Sequence, residues 1–186
     1  MYLCRRELSI KLHVNMNKTK VTQDTLYEYL LAHDVILSRL AELSHIDQKV
    51  VLSCFKHHNN WHGTPRRFNA EHISAINQAL PLLADELRSR LLIFGSTQTF
   101  TNRRGKTYDP ALVEPMKELG KYLNVMSMTK RLLGWSMLKK NNVLSNTASN
   151  MYGNISHADT VTINAEILSV AGVLDCYEVV ADGDVE

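Results

Sequence analysis

Apolar residues recur at helical spacing along most of the chain, and one central stretch changes to a β-type pattern. Leu26, Tyr29, Leu30 and Leu31 form a first stripe, with Asp24 placed to cap its start. After a break at His33-Asp34, Ile36, Leu37, Leu40, Ala41 and Leu43 form a second, so residues 24–44 read as two helices. Asp47 is positioned to cap a third helix running to about His57, with Val50, Val51, Cys54 and Phe55 facing inward. His58 to Arg67 is polar, contains Gly63 and Pro65, and reads as a loop. Asn69 then opens a long helix that buries Ile73, Ile76, Leu80, Leu83 and Leu87, with Pro81 as a point where a kink is expected.

Residues 90–108 break the helical period. Leu91-Leu92-Ile93-Phe94 and Thr97 to Thr101 are rich in β-formers, and Asn102-Arg103-Arg104-Gly105 is a turn signal, so the pattern predicts a β-hairpin. Pro110 after Asp109 marks the next helix start. Helices are expected at about 110–123, 127–140 and 144–152. Ser156 with Asp159 caps a last long helix to about Leu174, and a short strand at Cys176–Val180 follows.

The two halves share short matches. Val51-Leu52-Ser53 corresponds to Val143-Leu144-Ser145, and Ile76-Asn77 with Leu80 corresponds to Ile163-Asn164 with Ile167. The spacings are 92 and 87 residues, which points to two related helical modules, the first carrying extra loop residues around Trp61–Arg67. The expected fold class is therefore mainly α: two helix-turn-helix-like modules joined by a small β-hairpin. The expected organisation is an arm at 1–15, read as disordered or as an extended translation start, a module at 16–89, a hairpin connector at 90–109, a second module at 110–180 and an acidic tail at 181–186.

Charge adds an asymmetry to this picture. The net charge of +2 conceals a body and an end of opposite sign. All 21 Lys and Arg lie in residues 1–140 with 12 acidic residues, whereas residues 141–186 hold seven acids and no Lys or Arg. A basic body suits a polyanion, and the acidic end suits a homodimer contact or a protein partner through residues 141–186. No apolar run is long enough for a membrane span, and no signal peptide is evident, so no membrane partner and a cytoplasmic location are expected. Cys4, Cys54 and Cys176 are too far apart for metal or redox spacing and read as reduced thiols.

The segment Leu40 to Cys54 carries the functional reading. Ala41 is the small residue that allows a close helix crossing, Ile46 plugs the turn, and Val51 with Cys54 faces inward from the next helix. Gln48, Lys49 and Ser53 are left outward. This segment resembles the helix-turn-helix of lambda-repressor/Cro-type DNA-binding proteins. Repressors of this type usually place Gly at the turn, where φ is positive; here His45 stands there. The resemblance implies a bacterial or mobile-element regulator that binds double-stranded DNA as a dimer, or as a pseudo-dimer of its own halves. On that reading Gln48 meets adenine or phosphate, Lys49 and Lys56 meet phosphates, Ser53 lies on the same face, and Arg66 and Arg67 clamp the backbone. Arg103, Arg104 and Lys106 on the hairpin turn form either a basic wing or a solvated turn.

The second half is a poorer binder. Its core positions would be Leu138, Val143, Ala148 and Met151, and its outward residues Asn146, Thr147, Ser149 and Asn150 bring no positive charge to phosphate. Lys139 and Lys140 just before them, with Lys130 and Arg131, are its basic candidates for touching a backbone. Cys54, His57, His58 and His62 lack convergent zinc-ligand spacing, Trp61 and Trp135 read as packing residues, and no nucleophile or phosphate-loop motif occurs. No cofactor and no enzymatic activity are expected. The rival reading is a protein–protein adaptor that keeps a degenerate helix-turn-helix-like fold.

Overall fold

The structure, a computed structural model, describes residues 18–55, 66–93, 100–101, 107–134 and 155–184. Its elements run β1 (Thr19–Val21), α1 (Gln23–Ala32), α2 (Leu37–Ser44), α3 (Gln48–Phe55), α4 (Ala70–Arg88), β2 (Phe100–Thr101), β3 (Thr107–Tyr108), a 3₁₀ turn (Pro110–Leu112), α5 (Val113–Leu119), α6 (Val125–Leu133), α7 (His157–Cys176) and β4 (Tyr177–Val179). The protein is mainly helical. Leu26, Leu40, Val51, Leu80, Met116, Met128 and Ile167 all join one buried cluster drawn from both ends of the chain.

Local capping chemistry explains most helix starts. Asn69 Oδ1 accepts from the His72 N–H at 2.8 Å and opens α4. Ser156 and Asp159 form a reciprocal capping box at α7. Asp109 accepts from the Ala111 N–H at 2.9 Å, with Pro110 as the first residue of the 3₁₀ turn. The first helix departs from the expectation: Thr22, not Asp24, is its cap, accepting from the Thr25 N–H at 3.1 Å. Asp24 lies inside the first turn and pairs with Arg67 instead.

Other boundaries are set by long-range contacts. α4 stays continuous through Pro81, with Leu80 and Leu83 fully buried on either side. The expected helix 110–123 ends at Leu119, because Tyr122–Asn124 turns to meet Asp34–Ile36. α6 starts earlier than expected, at Val125 after an Asn124 cap, and stops at Gly134, whose φ of 59° is left-handed. The helix expected at 144–152 lies outside the described residues.

Among the described residues, two small ladders join the strands. β1 pairs parallel with β4, placing Val21 beside Val179 and Lys20 beside Glu178. β2 pairs antiparallel with β3, Phe100 opposite Tyr108. The expected strand at Leu91–Phe94 is not seen over Leu91–Ile93. The reason is chemical: the Leu92 N–H donates to Asn164 Oδ1, and the Leu92 carbonyl accepts from Asn164 Nδ2, both at 2.7 Å. That side chain takes the main-chain groups a ladder would use.

The same clamp occurs once more. Asn77 Nδ2 donates to the Val179 carbonyl at 2.9 Å, and its Oδ1 accepts from the Val179 N–H at 2.7 Å. A second reciprocal pair joins the α1–α2 and α5–α6 junctions. The Ile36 N–H donates to the Tyr122 carbonyl at 2.8 Å, and the Asn124 N–H donates to the Asp34 carbonyl at 2.7 Å, around an antiparallel bridge between Val35 and Leu123.

Candidate nucleic-acid interface

The α2–α3 corner is built from the residues the sequence pattern singles out. Ala41, Val51 and Cys54 are buried, and Ile46 is half-buried against the core. Ala41 is the small buried side chain of α2 at this corner. The chain turns at His45, which adopts φ 55° and ψ 26°, the left-handed conformation anticipated at this position. Its N–H and that of Ile46 return to the carbonyls of Glu42 and Ala41, closing the end of α2. Asp47 Oδ1 accepts from the Lys49 N–H at 2.6 Å and fixes the first turn of α3.

Gln48 and Lys49 are exposed on the first turn of α3. Ser53 is less available than expected: it is half-buried, and its hydroxyl donates to the Val50 carbonyl at 2.9 Å. A Ser hydroxyl in a helix finds its own preceding turn more easily than an external partner. Cys54 is buried, and desolvation pushes its thiol above its ordinary pKa, so it is a packing residue. Lys56, His57, His58 and His62 lie outside the described residues.

Gln23 holds the far end of α3 in place. It is buried despite its amide. Its Nε2 donates to the Cys54 carbonyl at 2.6 Å and to the Arg66 carbonyl at 3.2 Å, and its Oε1 accepts from the Phe68 N–H at 2.9 Å. One side chain thereby ties α1 to the C-terminal turn of α3 and to the segment carrying Arg66 and Arg67. A polar residue at the start of the first helix gives no local sign of this role.

Arg66 is exposed, but Arg67 is already engaged. Its guanidinium pairs with Asp24 at 2.8 Å and with Asp182 of the acidic end at 3.0 Å. The backbone clamp anticipated at Arg67 thus competes with two carboxylates of the same molecule. Arg131 is held likewise, by Asp34 at 3.2 Å and Glu166 at 2.8 Å. Glu166 also accepts from His33 Nδ1 at 2.7 Å. Burial opposes ionisation of Glu166, but the bonds from His33 and Arg131 outweigh it and hold the carboxyl below its usual range. Lys130 is exposed. Arg103, Arg104, Lys106, Lys139 and Lys140 lie outside the described residues, as do Leu138, Val143, Ala148 and Met151.

A polar cleft of about 470 Å³ opens beside the α1–α2 junction, lined by Ile36, Arg39, Glu42, Lys121 and Tyr122. Its charges are internally satisfied. Arg39 binds Glu86 through Nε at 2.8 Å and Nη2 at 2.5 Å, and Glu42 through Nη1 at 2.6 Å. The guanidinium groups of Arg39 and Arg90 both lie over the Tyr122 ring, 5.6 and 5.4 Å from its centroid. No signal in the sequence marks this cluster.

Fold and surface together define a mainly helical protein in which α3 begins with an exposed polar turn, and Gln23 ties its other end to the segment carrying Arg66. No family model matches the chain, and no curated protein or solved structure matches it either. Among the described residues no group of His, Cys, Asp and Glu is arranged to hold a metal ion, and no helix is long and apolar enough to cross a membrane.

Proposed function

We propose that this chain is a non-enzymatic DNA-binding regulatory protein whose first module is a helix-turn-helix that reads duplex DNA with the first turn of α3. One observation carries the reading: Ala41, Val51 and Cys54 face inward across the left-handed turn at His45, while Gln48 and Lys49 face solvent. A major-groove reader needs this division, because its polar side chains must reach base edges while the opposite face anchors the helix. Gln48 has the donor and acceptor for an adenine edge, and Lys49 and Arg66 supply positive charge for phosphates.

A salt titration of duplex binding tests it. The wild-type chain is expected to bind at low salt with affinity falling steeply as salt rises, and Lys49→Ala with Arg66→Ala to weaken binding and flatten that slope by about 2. Absence of binding at low salt refutes the reading.

The adaptor reading has one observation in its favour. Arg67 and Arg131 are paired with acidic groups of the same chain, which lowers the charge free to meet phosphate. It predicts no duplex affinity and capture of a protein partner through the acidic second half.

A further inference from the structure

We infer that the chain carries inside itself the two-fold interface that other helix-turn-helix proteins form between two copies, so that one chain occupies a DNA site alone and the site is not an inverted repeat. The stoichiometry on DNA rests on the reading above; the internal closure rests on geometry.

In a two-fold interface, residue i of one unit meets residue j of the other, and j of the first meets i of the second. This chain shows that reciprocity twice. Ile36 donates to Tyr122 and Asn124 donates to Asp34; both Ile36 and Asn124 and both Asp34 and Tyr122 are 88 residues apart. Asn77 clamps Val179 and Asn164 clamps Leu92; these pairs of equivalents are 87 apart. Helix caps follow the same register, Ile36 with Asn124 and Asn69 with Ser156. The buried seam follows it too. Ile76, Leu80, Leu83, Ala84 and Leu87 of α4 correspond at 87 residues to Ile163, Ile167, Val170, Ala171 and Leu174 of α7, and all ten are fully buried.

At one position the symmetry is broken in a telling way. Arg88 and Asp175 are equivalents, 87 residues apart, and they form an ion pair with each other across the seam. If two copies met through identical halves, this position would set Arg against Arg or Asp against Asp. Opposite charges at equivalent sites favour first half with second half and disfavour either half with itself. The surface that would recruit a second copy is therefore occupied by the chain's own other half. The halves also differ where they would read DNA. Gln48, Lys49 and Arg66 serve the first, whereas positions 141–154 contain no Lys or Arg. At the 92-residue spacing Lys140 and Asn141 stand where the first half has Gln48 and Lys49, so an inverted repeat would offer the same bases to two different sets of side chains.

Mass in solution and duplex selection with the full chain test the inference. The protein is expected to sediment as a monomer from low micromolar to about 100 micromolar, and selected duplexes to bind one chain each and to lack inverted symmetry. A stable dimer, or two chains on half-sites spaced by about 10 base pairs, overturns it. A monomer that enriches no duplex sinks the DNA reading and with it the stoichiometry, while the closure stands. Arg88→Asp and Asp175→Arg singly should each lower the denaturant midpoint, and the double exchange should recover much of the loss in a monomer. Failure of the exchange to recover it, in a chain that still folds, removes the charge argument and overturns the closure as stated.

Discussion

Gln23 donates its side-chain amide to the Cys54 carbonyl across 2.6 Å, joining the start of α1 to the last turn of α3. The same amide accepts from the Phe68 N–H, so its replacement strands a buried donor and a buried acceptor together. Gln23→Met keeps the volume and removes all three of its side-chain bonds. The expected loss is about 2–6 kcal/mol of stability, since each of the two buried groups left unpaired costs about 1–3 kcal/mol. A urea melt checks it. Duplex affinity of the folded variant should also fall, because α3 and Arg66 lose the link that fixes their spacing. An unchanged midpoint would show that water or a neighbour replaces the amide.

Arg67 and Asp182 supply a second prediction. Both are partly exposed, and an exposed pair contributes little to folding. The pair matters for charge presentation: Asp182→Asn leaves one guanidinium nitrogen free of the acidic end. Stability should move by less than about 0.5 kcal/mol, while duplex affinity should rise about two- to fivefold, with a steeper dependence on salt. If affinity falls or stays the same in a fluorescence-anisotropy titration, Arg67 does not face the phosphates.

What the sequence discloses is mainly what neighbours in the chain decide. The caps at Asn69 and Ser156 depend on residues within a few positions and are readable without tertiary knowledge, whereas the left-handed turn at His45 is anticipated through the resemblance to repressor-type corners. Exposure of Gln48 and Lys49 follows from the apolar spacing around them. The β1–β4 ladder joins Thr19 to Tyr177, and no local pattern announces it. The tripeptide at Leu91–Ile93 has strand composition, yet a side chain from α7 claims its main-chain groups. Asn77 and Asn164 stand out in the sequence as a repeated pair, but only the packed seam shows that they clamp backbone. Arg67 reads as a free cation until Asp182, far along the chain, is found beside it.

The Glu166 cluster sets an acid limit on stability. Its folded pKa lies below its unfolded value of about 4.3, so deprotonation is favoured by folding. The stabilisation is complete above the unfolded pKa and disappears as pH falls through the lower, folded one. Thermal melts of the wild type should therefore lose stability below about pH 4.3. Glu166→Gln should be less stable at neutral pH, because Arg131 and His33 lose their shared carboxylate, and its decline in acid should be shallower. Parallel acid limbs for the two proteins would assign the loss to other carboxylates.

His45 gives a prediction that separates backbone strain from side-chain recognition. At φ 55° a Cβ is disfavoured, and Gly removes that penalty. Against this, Gly enlarges the unfolded ensemble, an effect of up to about 1 kcal/mol in the other direction. His45 is exposed, and its place in the turn is defined by main-chain bonds from its own N–H and that of Ile46. His45→Gly should thus leave stability unchanged or raise it by up to about 1 kcal/mol. His45→Val should lower it by about 1–3 kcal/mol, because a β-branched side chain is the worst occupant of a left-handed position. Both variants keep Gln48, Lys49 and Arg66. If the corner reads DNA through those residues, His45→Gly retains wild-type duplex affinity, and His45→Val loses affinity only as far as it loses fold at the assay temperature. Circular dichroism melts beside duplex titrations make the comparison. Equal stability of the Gly and Val variants would mean that the turn at position 45 is not left-handed, and the corner that presents α3 would need a different geometry.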